Sequence, residues 1–225
     1  MLLCNFGENL FQTGLMEFSW DKLLEISGFI IGLLYLWWEY HANAKLWIAS
    51  IIMPSISIWL YFRKGLYADF AINIYYWVIA VYGYVVWTGK HAKNADSTKK
   101  VSRPICHAGL RVIAGCMAST CALWALIWWV LVTFTNSTVP VTDAFTTALS
   151  IVAMWMLARK YIEQWIAWFV VDAVCVGLYI YKGIPFYACL YAVYTVIALF
   201  GYRKWLRLMS AQGGNEVGQL DKLID

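Results

Sequence analysis

The sequence predicts an all-α integral membrane protein of seven transmembrane helices, arranged as two parallel three-helix repeats joined by a linker helix. Three observations carry this reading. The chain is 62% hydrophobic and only 13% charged, about half the charged share of a soluble domain. Seven apolar runs are bounded by charge and turn residues. The chain also matches itself at an offset of 118 residues. A span needs about 20 apolar residues, so seven spans leave little of the 225 residues for a soluble domain.

Taken in order, the N-terminal stretch "MLLCNFGENLFQTGLMEFSWDK" is too broken by polar residues for a cleavable signal. Residues 1–20 read as a periplasmic segment lying at the membrane surface. The first repeat occupies 21–88, with spans near 22–40, 45–62 and 66–88. A basic loop follows over 89–107, containing "TGKHAKNADSTKKVSRP". The linker region 108–140 holds the fourth span, near 108–135. The second repeat covers 141–206, with spans near 142–158, 161–181 and 184–205, and a tail over 207–225 ends the chain. Of the six cysteines, at 4, 106, 116, 121, 175 and 189, four fall inside apolar runs and none forms a CxxC pair. They read as small apolar residues, with no disulfide, metal site or cofactor.

Charge orients the spans, because cytoplasmic loops collect Lys and Arg. One side gathers Lys45, Lys90, Lys93, Lys99, Lys100, Arg103, Arg111, Arg159, Lys160, Arg203, Lys204, Arg207 and Lys222, which is 13 of the 17. The other keeps Lys22, Arg63, Lys64 and Lys182. The C-terminus is therefore expected in the cytoplasm and the N-terminus outside. The basic loop reads as topogenic and membrane-facing rather than as a nucleic-acid site.

The internal match is gapless from "LYFRKGLYADFAINIYYWVIAVYGYVVW" (60–87) to "LYIYKGIPFYACLYAVYTVIALFGYRKW" (178–205), with 11 of 28 positions identical. The same offset pairs Trp47-Ile48-Ala49 with Trp165-Ile166-Ala167, and Trp37 with Trp155. Spans one to three thus repeat as five to seven. The odd fourth span returns the chain to its starting side, which makes the repeats parallel. That arrangement belongs to certain carriers. The repeat-matched Gly65, Gly83, Gly183 and Gly201 read as close helix packing.

One charge stands out. Asp172 lies about 16 Å along span six from its cytoplasmic end, near the midplane, where a carboxylate costs roughly 2.5–3.5 kcal/mol on insertion scales. Its repeat-mate is Pro54, whose ring frees a carbonyl that needs a partner in protein or a water-lined cavity. Trp165, Trp168 and Asp172 share one helical face. Indoles beside a carboxylate form a box for a flat cationic ring, through stacking and cation–π attraction. Asn73 and Tyr76 in span three, and Tyr187, Tyr191 and Tyr194 in span seven, add amide and phenol groups at matching depth. Glu39, near His41 and Lys45 at the end of span one, reads as a solvated cap.

Enzyme and sensor readings find less support. His41, His91 and His107 fall in or beside loops, and no HExxH, GxSxG or paired midplane carboxylates are present. The tail "SAQGGNEVGQLDKLID" is too short for an output domain. Trp-rich outer faces suit lipid as well as a second copy of the chain, so a homo-oligomer stays open.

"SIVAMWMLARKYIEQWIAWFVVD", followed by "GLYIYKG" and "ALFGYRKW", resembles the C-terminal half of the PnuC family of bacterial vitamin transporters. "GFIIGLLYLWWE" and "LYADFAINIYYWVIAVYGYVVW" resemble its N-terminal half. The most specific element is WxxWxxxN/D, here Trp165, Trp168 and Asp172. The resemblance implies facilitated diffusion of nicotinamide riboside across the inner membrane, on a SWEET-like fold, with a cytoplasmic kinase trapping the vitamin and no coupling ion. Two departures bear on substrate. The family commonly has Asn at the position of Asp172, and a polar residue where this chain has Met53 and Pro54. Relatives carry thiamine or riboflavin. Nicotinamide riboside and thiamine are both flat cations, and the box does not choose between them.

Overall fold

The computed structural model describes residues 31–64, 67–89, 104–135 and 137–224. The N-terminal segment and most of the basic loop lie outside these. Seven helices are seen among the described residues: α1 over 31–40, α2 Lys45–Lys64, α3 Tyr67–Thr88, α4 Leu110–Phe134, α5 Pro140–Ala158, α6 Gln164–Tyr181 and α7 Pro185–Ile224. The stretches Lys45–Arg63, Phe70–Thr88, Leu110–Phe134, Pro140–Ala158 and Gln164–Tyr181 are each long and apolar enough to cross a membrane. Hydroxyls inside these helices bond carbonyls one turn back, as Ser50 does to Leu46, Thr120 to Cys116 and Thr147 to Asp143. In lipid that is how a polar side chain is satisfied without water.

The chain forms two compact units, Met1–Thr88 and Gly89–Asp225. In the first, α2 packs along α3. A tight turn joins α1 to α2: Ala42 takes a left-handed φ of 51°, and Asn43 Oδ1 accepts from the Lys45 N–H at 3.0 Å, starting α2. Pro54 sits fully buried inside α2, where it removes the donor to the Ser50 carbonyl. The flanking hydroxyls of Ser50 and Ser55 bond into the same stretch, to Leu46 and Ile51.

The second unit repeats the backbone hydrogen bonds of that turn. Lys160, the mate of Ala42, has φ 56°. Its N–H donates to Leu157 at 2.9 Å, as Ala42 does to Glu39 at 3.0 Å. Tyr161 donates to Met156 at 3.0 Å, as Asn43 does to Trp38 at 2.8 Å. Side-chain packing repeats as well. A Cβ on Gly83 would fall 2.5 Å from Cε2 of Trp47, and one on Gly201 the same distance from Cζ3 of Trp165. Each tryptophan meets a second edge-on, Trp47 with Trp87 at 5.7 Å and Trp165 with Trp205 at 5.9 Å. The similarity at offset 118 is therefore a repeated structure, built on a glycine that lets an indole ring lie against the neighbouring helix.

Within the second unit, α6 packs on α7 and α5, and α5 on α4. The segment before α4 is clasped to the α5–α6 turn. Cys106 and Tyr161 form an isolated bridge, Glu163 Oε2 accepts from the Ala108 N–H at 2.9 Å, and Glu163 Oε1 lies 2.8 Å from His107 Nδ1. Below it, Ala108, Val152, Met156 and Tyr161 make a small core with Val112 and Trp155. No residue of α4 is buried; among the described residues it packs mainly on α5. Pro140 opens α5 at its first turn, where the missing N–H costs nothing. Gly183, with φ 70°, turns the chain from α6 into α7. The helix α7 does not stop where its apolar run ends near 205; it continues through the expected tail to Ile224.

Candidate functional site

The residues singled out in span six lie on α6. Successive residues advance about 100° around a helix, so Gln164, Trp165, Trp168, Asp172 and Cys175 share an arc of about 100°. That arc is the buried face: Gln164, Trp165, Asp172 and Cys175 are buried and Trp168 is half-buried. Asp172, 8% exposed, is thus held inside protein and not presented to lipid. Trp165 is fixed between Gly201 and Trp205, a rigid wall. The indole N–H groups of Trp165 and Trp168 are buried without a hydrogen-bond partner, and so are both polar atoms of the Gln164 amide.

On α7, Tyr187 and Tyr191 both stack on Tyr179 of α6, with centroids 5.1 and 5.3 Å apart, and Tyr194 meets Tyr191 edge-on at 5.9 Å. These rings lock the ends of α6 and α7 together beside the Asp172 face. In the first unit, Asn73 and Tyr76, about one turn apart on α3, are both buried. The structure thus brings Trp165, Trp168 and Asp172 to one buried face of α6, groups Tyr191 with Tyr194, and groups Asn73 with Tyr76.

Two residues depart from the sequence reading. Glu39 is only 3% exposed, and Tyr35, one turn back, hydrogen-bonds to it. It is a buried, partnered acid, not a solvated cap. A position four from a helix end gives depth, and it does not give facing. Gln164 was missed because "YIEQW" reads as a polar helix start. The available signal was its repeat-mate, Leu46.

Apolar helices long enough to cross a membrane, one of them turning a face of indoles, an amide and a carboxylate into the protein, define a multi-pass membrane protein. The sequence pattern described as nicotinamide mononucleotide transporter matches residues 22–207, and the chain belongs to that family, the one that includes PnuC. The nicotinamide riboside transporter PnuC of Escherichia coli (strain K12) is 24% identical over 221 residues, spanning 89% of this chain and 91% of that protein. The PnuC of Neisseria mucosa is 22% identical and spans 90% of this chain and 79% of its own. The riboflavin/roseoflavin transporter RibM of Streptomyces davaonensis is 32% identical over 127 residues, 56% of this chain and 58% of that one. The crystal structure of the vitamin B3 transporter PnuC superposes with a TM-score of 0.59 at 20% identity, covering 81% of this chain and 80% of that one. At that identity the likeness speaks for the fold alone.

Proposed function

We propose that the protein imports nicotinamide riboside across the bacterial inner membrane by facilitated diffusion, with alternating access at a central aromatic and polar site. The N-terminus faces the periplasm and the C-terminus the cytoplasm, following the Lys and Arg asymmetry. The observation that carries this reading is the buried face of α6, on which Trp168 and Asp172 lie one turn apart. A pyridinium stacks on the indole while the carboxylate balances its charge, and Trp165 closes one side. Tyr191 and Tyr194, on the neighbouring helix of the same unit, supply hydrogen bonds to the hydroxylated part. The likeness to two nicotinamide riboside transporters, over 89% and 90% of this chain, supports the substrate.

Thiamine is the second reading, left open by one residue: Asp172 stands where the family commonly has Asn, and a carboxylate suits any flat cation. Riboflavin is neutral and gains less from it. Calorimetric titration of the purified protein with nicotinamide riboside and, separately, thiamine decides between them. Trp168→Ala is expected to weaken binding by about 1–2 kcal/mol, the scale of a desolvated cation–π contact, or roughly 5- to 30-fold in Kd. Asp172→Asn is expected to keep the fold and weaken the cation. Unchanged curves for both variants refute the tryptophan–carboxylate site.

A further inference from the structure

Gln164 opens α6 with its side chain 0% exposed, and neither Oε1 nor Nε2 has a hydrogen-bond partner. Buried polar side-chain atoms are nearly always bonded, and an amide left unpaired in an apolar interior is destabilising. The repeat supplies an internal control. The mate of Gln164 is Leu46, also 0% exposed. The two occupy the same turn, Leu46 N–H donating to Asn43 at 3.1 Å and Gln164 N–H to Tyr161 at 3.3 Å. Packing at this position is therefore satisfied by an apolar side chain, and the amide serves something else.

The neighbours along the helix point to what that is. Gln164, Trp168 and Asp172 follow at i, i+4 and i+8, a single stripe with Trp168 about 6 Å from each end along the axis. Their mates are Leu46, Ser50 and Pro54. Those three close on themselves: a packed leucine, a hydroxyl bonded back to the Leu46 carbonyl at 2.9 Å, and a proline ring. The second repeat replaces all three with groups that offer bonds outward. Read from the turn inward, the stripe presents a donor beside an acceptor, then a flat ring, then a carboxyl group.

We infer that Gln164 is a specificity-determining residue, whose side-chain amide pairs in two hydrogen bonds with a substrate edge carrying a donor beside an acceptor. The inference rests on the transport reading above and extends it. With a pyridinium ring on Trp168 and its ribosyl nitrogen toward Asp172, the ring carboxamide points to Gln164. A primary amide matches another primary amide donor to acceptor on both sides. A carboxylate in its place offers acceptors only and leaves the Gln164 carbonyl unpaired, and sites built to hydrogen-bond reject such analogues strongly.

The test compares nicotinamide riboside with nicotinic acid riboside on the purified wild type and on Gln164→Leu, the residue already accepted at the mate position. Wild type is expected to prefer the amide by about tenfold or more. Gln164→Leu is expected to lose about tenfold in affinity for the amide and to bring the two ribosides within about threefold of each other. It is expected to melt no lower than wild type without ligand, since an unpaired buried amide is gone. Gln164→Met, unbranched and of similar length, answers the same question where the leucine variant does not fold. A variant that keeps the wild-type ratio, or a wild type that binds both ribosides equally, overturns the role of Gln164 while leaving the transport reading intact. If only thiamine binds, its aminopyrimidine offers the same edge, and an unaltered thiamine affinity in Gln164→Leu overturns the inference. A wild type that binds neither vitamin overturns the transport reading and this inference together.

Discussion

Ala42 and Lys160 are the two non-glycine residues with left-handed backbone among the described residues, and their pairing at offset 118 shows how much of the turn is set by backbone geometry. Left-handed conformation costs an L-residue roughly 1–2 kcal/mol, which the surrounding bonds to Trp37, Trp38 and Glu39 offset. Ala42→Gly removes that strain and deletes only a methyl group on a half-buried residue. It is expected to stabilise the protein by about 0.5–1 kcal/mol, the glycine's own entropy cost subtracted, read as a raised melting temperature in detergent. A lowered melting temperature would mean that the methyl packs on something. Sequence alone could not find this strain, because neither alanine nor lysine advertises a left-handed turn. Glu39 was illegible for a related reason: hydropathy gives depth along a span, while facing depends on which helix packs against it. Asp172 was legible because a charge deep in an apolar run has no inexpensive alternative to burial in protein.

At the scale of elements, spans two to six coincide with α2–α6 to within a few residues, since apolar length is the one signal a membrane helix cannot do without. The end of α7 did not emerge from the sequence: hydropathy stops near residue 205, whereas backbone hydrogen bonding continues into the polar stretch. The repeated contact of glycine with indole was half legible. Matched Gly83 and Gly201 suggested packing, but the partner ring comes from a different helix in each unit. Gly201→Ala places a methyl group 2.5 Å from a ring that Trp205 holds from another side. Overpacking of this kind costs about 1–3 kcal/mol. The variant should melt lower, and because Trp165 must move, it should also bind the vitamin more weakly. Trp165→Phe in the same chain should restore part of the melting temperature by making room. Failure of that rescue would place the strain in the backbone instead.

Over the whole molecule, a repeated scaffold carries a one-sided chemistry. The two turns and the two glycine–indole contacts are duplicated, while the stripe Leu46–Ser50–Pro54 is answered by Gln164–Trp168–Asp172. Duplication supplies the framework, and divergence on one face supplies the proposed site. Coupling to an ion gradient would need a further group that changes charge or ligation during transport. Glu39 is the second buried acid among the described residues, and its hydrogen bond with Tyr35 gives it a structural role already. Uniport therefore predicts that reconstituted vesicles held at zero membrane potential fill with the cationic nicotinamide riboside only until inside and outside concentrations are equal. Collapsing the proton and sodium gradients should leave that end point unmoved, because a carrier with no coupled ion only speeds the approach to equal concentrations. Glu39→Gln can slow the approach by disturbing packing, yet it should reach the same end point. Accumulation above the external concentration that disappears with the proton gradient or in Glu39→Gln would instead make that buried acid part of a coupled carrier.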